Sequence, residues 1–186
     1  LTWKHFYEYK DMPIFIKYLE DRDMWWNKLD YCKEVFLSIS TLKKNFELWL
    51  KYIEKDSIDN LIEMGKVLKL KEDDNLNQLL KSSYTRKFII DNNEYNVAYI
   101  NSKLYRSDLG NMLMKKYKDI DFAGCYYYEG KYNSTQFSLR SLEFDVSEVA
   151  RLFDGGGHKC ASGLSIKGFH NRLPLIKDKI LENNKI

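Results

Sequence analysis

Apolar residues recur at helical spacing through the first part of the chain. In the segment 42–53 they stand three or four positions apart, which predicts an amphipathic helix: Leu42, Phe46, Trp49, Leu50 and Ile53. Pro13 begins another helical segment, since the first turn of a helix tolerates proline. A third helix is predicted after a cap at Asp56 or Ser57, with an interruption near Asp73–Asp74.

From residue 83 the hydrophobic period changes from helical to alternating. The chain then predicts a hairpin over 84–101, a helix capped by Ser107, strands over 121–130 and 134–142, a helix over 145–153, a strand over 161–168 and a closing helix over 173–183. We therefore predict an α/β (α+β) fold. A helical connector over residues 1–82 precedes a small domain over residues 83–186, whose mixed sheet of about five strands is flanked by helices.

Three consecutive glycines precede His158 in the stretch "LFDGGGHKCASGLSI". Ordering a run of glycines costs more conformational entropy than ordering other residues, so three in succession are not expected in an ordinary loop. The chain enters it from a short helix and leaves into a strand, so it matches neither a Walker loop nor a dinucleotide-binding loop. Exposed N–H groups suit an anion, and nearby cationic side chains add donors. The predicted phosphate-binding residues are Arg140, Gly155, Gly156, Gly157, His158 and Lys159.

Composition narrows the class of protein without identifying a partner. The chain has 186 residues and a net charge of +3, which is too small to indicate nucleic acid by itself. No apolar run approaches the roughly 20 residues of a membrane span, so no membrane partner is expected. The three cysteines lack Cys-x-x-Cys spacing, which is typical of a reducing, cytoplasmic setting. Since no methionine precedes Leu1, we expect that the chain is part of a longer protein.

The segment "GGGHKCASG" resembles the GGGH-x-x-A-x-G signature of the DHH-associated domain in the DHH phosphoesterase superfamily. "FSLRS" and "DVSEVARLFDGGGH" are similar to the same family, and "MPIFIKYLEDRDMWWNKL" resembles its oligoribonuclease-like branch, so the resemblance covers most of the chain. It implies that the glycines and His158 bind substrate phosphate while Arg140 clamps it. It also implies manganese-dependent hydrolysis of phosphodiester or phosphomonoester bonds, in short oligonucleotides or small nucleotides.

The chain departs from the family pattern where the metals would bind. It contains no Asp-His-His motif, so the resemblance implies that most manganese ligands belong to an N-terminal DHH domain outside this chain, and that the chain alone is inactive. Asp21 or Asp23, with a preference for Asp21, occupies the place of the last metal ligand. Asp154 stands where the resemblance implies a fourth glycine or a neutral residue.

Two further expectations concern partners. Apolar stripes in the connector (Phe15, Leu19, Trp25 and Trp26) lack a partner within the sequence pattern and would favour a homodimer. The alternative function is a stand-alone, non-catalytic module of the same fold that binds nucleotides or nucleic acid.

Overall fold

The computed structural model describes residues 2–24, 26–55, 57–90 and 93–174. The chain divides into two compact units, Leu1–Asp74 and Asn75–Ile186. The helices are α1 (Thr2–Phe6), α2 (Ile14–Asp23), α3 (Cys32–Thr41), α4 (Phe46–Lys55), α5 (Asp59–Leu80), α6 (Arg106–Lys116) and α7 (Val146–Arg151). The strands are β1 (Tyr84–Ile90), β2 (Asn93–Asn101), β3 (Phe122–Glu129), β4 (Ser134–Arg140), β5 (Gly156–His158) and β6 (Ala161–Lys167).

The first unit is helical, as predicted. Phe15, Val35 and Leu61 are fully buried at its centre. Phe15 therefore has packing partners, whereas the sequence pattern predicted that its apolar stripe lacks them. Trp26, from the same set, is half exposed. Trp25 lies outside the described residues. The homodimer stays a prediction.

Helix α5 differs from its prediction in two respects. It begins at Asp59, and it continues to Leu80 without the interruption expected near Asp73–Asp74. Lys33 neutralises this acidic stretch, because its ammonium lies 2.9 Å from Glu72 and 3.5 Å from Asp73. The switch from helices to strands follows the end of this helix, as the change of period predicts.

The second unit contains a six-stranded mixed sheet in the order β1-β2-β3-β4-β6-β5. Strands β2 and β3 pair in parallel, and every other neighbouring pair is antiparallel. The sheet has one strand more than predicted, because Gly156–His158 forms the short edge strand β5. Glycine-rich stretches show no alternation of apolar and polar residues, so the sequence pattern did not reveal this strand.

Helices pack against both faces of the sheet, and Leu76 of α5 packs together with α6 on one of them. One face carries Val97, Phe122 and Leu139 and is covered by α7 through Val149 and Ala150. The opposite face carries Ala98, Ala123 and Cys125 and is covered by α6 through Leu109 and Leu113.

The start of α6 differs from its prediction. Tyr105, with φ 54°, occupies the N-cap position, so the prediction that Ser107 caps this helix is wrong. Ser107 lies inside the first turn, where its hydroxyl binds Arg140. The turn at Asp91–Asn92 and the closing helix predicted over 173–183 lie wholly or largely outside the described residues. Among the helices that the structure describes, none is long and apolar enough to cross a membrane.

Candidate phosphate-binding site

Helix α7 directs the chain into the glycine segment. Asp145 caps this helix by accepting a hydrogen bond from the Ser147 backbone N–H at 2.9 Å and from its hydroxyl at 2.6 Å. The hydrogen bonds from Ser147 lower the pKa of Asp145. At the other end of the helix, the Gly155 N–H donates to the Ala150 carbonyl at 2.9 Å, which ties the first glycine to the helix.

The three glycines differ in how closely other parts of the chain approach them. A Cβ on Gly155 would lie 2.4 Å from the Gly163 carbonyl oxygen, and a Cβ on Gly157 would lie 2.6 Å from the Ala161 carbonyl oxygen. Gly157 also has φ 144°, which side chains other than hydrogen rarely allow. The backbone of β6 is therefore what approaches these two glycines. Gly156 alone faces open space, since a Cβ there would have no other atom within 4 Å.

The residues predicted to bind phosphate form part of one row across the sheet. Arg140 pairs with Ala161 on one side of β6, and His158 pairs with Ala161 on the other. Paired residues of antiparallel strands direct their side chains to the same face of the sheet. Arg140 and His158 therefore share the face that α6 covers, here called the α6 face. Their Cα atoms are separated by about 10 Å, across the small side chain of Ala161.

Arg140 is a partly buried cation held at a fixed place. Its Nη1 donates to the Leu139 carbonyl at 2.9 Å, and its Nη2 donates to the Ser107 hydroxyl at 2.8 Å. Burial lowers the pKa of this guanidinium, and the positive charge of Arg106 lowers it further. Within the described residues it forms no ion pair, which leaves its charge without a carboxylate partner. A guanidinium of this kind suits an anion that binds through two oxygens.

The next row of the sheet has no large side chains and forms the floor of the candidate site. Ser138 pairs with Gly163, and Gly163 pairs with Gly156, all on the same face as Arg140. The Arg106 guanidinium donates to the Ser138 hydroxyl at 3.2 Å. The sequence did not predict Arg106, Ser107 or Ser138 as residues of the site, because α6 meets β4 only through the three-dimensional fold. Arg106 and Ser107 belong to the "YRSD" segment at the start of a predicted helix, and Ser138 belongs to the "FSLRS" segment.

Lys159 and Asp154 lie beside the row rather than within it. Lys159 is exposed in the turn between β5 and β6, where its carbonyl accepts a hydrogen bond from the Val146 N–H at 2.9 Å. Asp154 has φ 58°, a left-handed conformation that glycine adopts without strain.

The predicted metal ligands lie in the first unit. Asp21 is buried, and its carboxylate accepts hydrogen bonds from the backbone N–H groups of Lys28 at 3.0 Å and Leu29 at 3.2 Å. Burial would raise the pKa of Asp21, but these hydrogen bonds outweigh burial, and the pKa is lowered. Asp23 is exposed and lines a cavity of about 820 Å³ in the same unit.

The described residues do not fit a metal ion on their own. Among them no three His, Cys, Asp or Glu side chains are grouped closely enough to hold one. The carboxylate oxygens of Asp21 are also already occupied by backbone donors. Manganese binding through Asp21 or Asp23 therefore stays a prediction that depends on further ligands.

The fold and site define a small α/β domain with a GGGH strand at the sheet edge and an arginine two strands away. Residues 92–185 match the DHHA1 domain family, which is about half of the chain. The chain therefore belongs to the DHHA1 domain family, as the resemblance of the GGGH segment implied.

Three similar proteins support this assignment or show the same fold. An uncharacterized protein of Acanthamoeba polyphaga mimivirus is 32% identical over 181 residues, which are 95% of this chain and 42% of that protein. The oligoribonuclease NrnB of Bacillus subtilis is 37% identical over 75 residues, 39% of this chain and 18% of the enzyme. The chain thus spans less than half the length of both relatives. The structure of the pGpG-specific phosphodiesterase PggH from Vibrio cholerae has the same fold, with a TM-score of 0.50, 11% identity, and coverage of 98% of this chain and 69% of that one.

Proposed function

We propose that this chain is the phosphate-binding part of a metal-dependent DHH-family phosphoesterase that acts on short oligonucleotides or small nucleotides. The main support for this proposal is that the guanidinium of Arg140 is partly buried and has no carboxylate partner among the described residues. It faces an open floor of small residues beside His158. Family membership and the activities of NrnB and PggH support the substrate class.

Each residue of the site has a distinct task in this proposal. Arg140 binds two phosphate oxygens through the N–H groups that it does not use on Leu139 and Ser107. His158 donates a hydrogen bond from the opposite side of Ala161. Gly156 leaves space for the ligand, since no protein atom lies within 4 Å of where its Cβ would be. Hydrolysis itself is assigned to the full-length protein, whose metal ions would supply the activated water.

Titration calorimetry with AMP and the dinucleotide pApA tests the phosphate site. One charge-assisted hydrogen bond contributes roughly 1.5–3 kcal/mol, so Arg140→Ala or His158→Ala should weaken binding about ten- to a hundredfold. Arg140→Lys should recover only part of the loss, because lysine lacks the planar fork. Gly156→Val should abolish binding by filling the floor, while the folded state persists.

Arg86→Ala is the matched control. Arg86 is an exposed arginine on β1, at the far edge of the sheet. Its guanidinium lies 5.2 Å from the centroid of the Tyr84 ring. Its loss should leave affinity unchanged. Equal affinity of the wild type and all four site variants would refute the proposal. Binding without metal-dependent hydrolysis by the full-length protein would instead favour a non-catalytic module.

A further inference from the structure

A second arginine lies on the same face of the sheet as Arg140. Arg106 is the first residue of α6, and its side chain reaches over the sheet to donate to the Ser138 hydroxyl at 3.2 Å. Its guanidinium also lies 5.7 Å from the centre of the Tyr127 ring, within the range of a cation–π contact. The strand hydroxyl and the aromatic ring together hold this exposed cation in one place.

Arg106 differs from the other cation at Tyr127 in having no carboxylate partner among the described residues. Lys103 lies 5.3 Å from the same ring, but its ammonium is paired with Glu129 at 2.9 Å. Arg106 forms no ion pair among the described residues. It also repels the neighbouring Arg140, whose pKa is lowered by burial and by this second positive charge. Two adjacent guanidinium groups without an acidic partner favour an anionic ligand with more than one charged group.

The two arginines lie at successive rows of the α6 face. Arg140 belongs to the row that contains Ala161 and His158, and Arg106 is hydrogen-bonded to the row of Ser138, Gly163 and Gly156. Successive residues on one face of a strand are about 7 Å apart. One sugar–phosphate repeat can bridge such a distance. The floor between the rows carries no large side chain that would block it.

We propose that Arg106 binds a second phosphate of the ligand and thereby discriminates dinucleotides with a 5′-phosphate from mononucleotides. This inference rests on the proposed function, in which Arg140 and His158 bind the first phosphate. Tyr127 is a positioning residue that keeps the Arg106 guanidinium over the floor.

The test compares ligands that differ by one phosphate. AMP, ApA and pApA are titrated into the wild type and into Arg106→Ala, Arg106→Gln, Arg140→Ala and the control Arg86→Ala. Both Arg106 variants should bind pApA about tenfold more weakly and AMP with unchanged affinity, so the preference for pApA over ApA should shrink. The affinity for pApA should also depend less on salt concentration in both Arg106 variants, because one charged contact with the ligand is lost.

The outcomes separate the inference from the proposed function. Equal weakening of AMP and pApA by Arg106→Ala would overturn the inference, because Arg106 would then act on the first phosphate. Unchanged pApA affinity in both Arg106 variants, with a loss in Arg140→Ala, would also overturn it while leaving the proposed function intact. If Arg140→Ala has no effect on any ligand, the proposed function fails. Unchanged AMP affinity in both Arg106 variants would exclude loss of folding as the cause of weaker pApA binding.

Discussion

At the scale of single residues, Gly156 and Gly157 are adjacent but constrained in opposite ways. Gly157→Ala would place a Cβ 2.6 Å from the Ala161 carbonyl oxygen at φ 144°, so both a clash and backbone strain oppose it. We expect a loss of about 2–4 kcal/mol in the free energy of unfolding. Gly156→Ala meets nothing within 4 Å and should change it by less than about 0.5 kcal/mol. Urea denaturation of the two variants measures the contrast, and similar values for both would contradict the structure.

Asp21 gives a prediction that depends on pH. Its pKa in the folded state is lowered, because hydrogen bonds from Lys28 and Leu29 outweigh the effect of burial. A carboxylate of this kind stabilises the fold above its unfolded pKa of about 3.9, and the stabilisation is lost as the pH falls through the folded pKa. Asp21→Asn should therefore destabilise the protein at neutral pH and show a shrinking difference from the wild type in acid.

Asp23→Asn is the control for this prediction, since Asp23 is exposed at the end of α2. Urea unfolding of both variants at about pH 7 and about pH 3 provides the comparison. If the deficit of Asp21→Asn is the same at both pH values, the ionised carboxylate is not what holds the segment after α2.

At the scale of elements, Gly110 determines how closely α6 approaches β4. A Cβ at this position would lie 2.6 Å from Cγ of Arg140, in the stem of that side chain. Helix propensity alone would make Gly110→Ala stabilising by about 1 kcal/mol. We expect the opposite sign, a loss of about 1–3 kcal/mol from overpacking, together with weaker AMP binding as Arg140 is displaced.

Asn111→Ala tests the propensity effect by itself, because Asn111 is the next residue of α6. It should be neutral or slightly stabilising and should leave AMP affinity unchanged. Thermal or urea unfolding gives the sign, and calorimetry gives the affinity. A stabilised Gly110→Ala variant with normal affinity would mean that α6 does not depend on this close approach.

At the scale of the whole molecule, periodicity predicted the architecture better than the site. The helix α4 and the strands β3 and β4 were predicted from local sequence patterns, and the structure confirms these elements. Helix α3 was not predicted, although Cys32, Val35 and Ile39 recur at helical spacing and are buried. Its mixture of Ser, Thr and Lys among these positions obscured the stripe.

The site was predictable only as far as its motif extended along the chain. The resemblance of "GGGHKCASG" and "FSLRS" predicted Gly156, His158 and Arg140 as site residues, and the strand pairing places them on a common face. It did not identify Arg106, because α6 reaches this face only after β2 and β3 pair in parallel around it. The sequence also did not predict that β6 packs against Gly155 and Gly157, because it does not show which part of the backbone lies close to a glycine.

The length of the turn between β5 and β6 matters as much as its chemistry. Lys159 and Cys160 alone connect the strands, and their carbonyls accept hydrogen bonds from Val146 and Ser141. Inserting or deleting one residue here would exchange inside and outside along β5, because successive side chains of a strand point to opposite faces. His158 would then point toward the α7 side, away from Arg140. Substitutions in this turn can preserve the pairing of Arg140 with His158 across Ala161, whereas a change in its number of residues separates them.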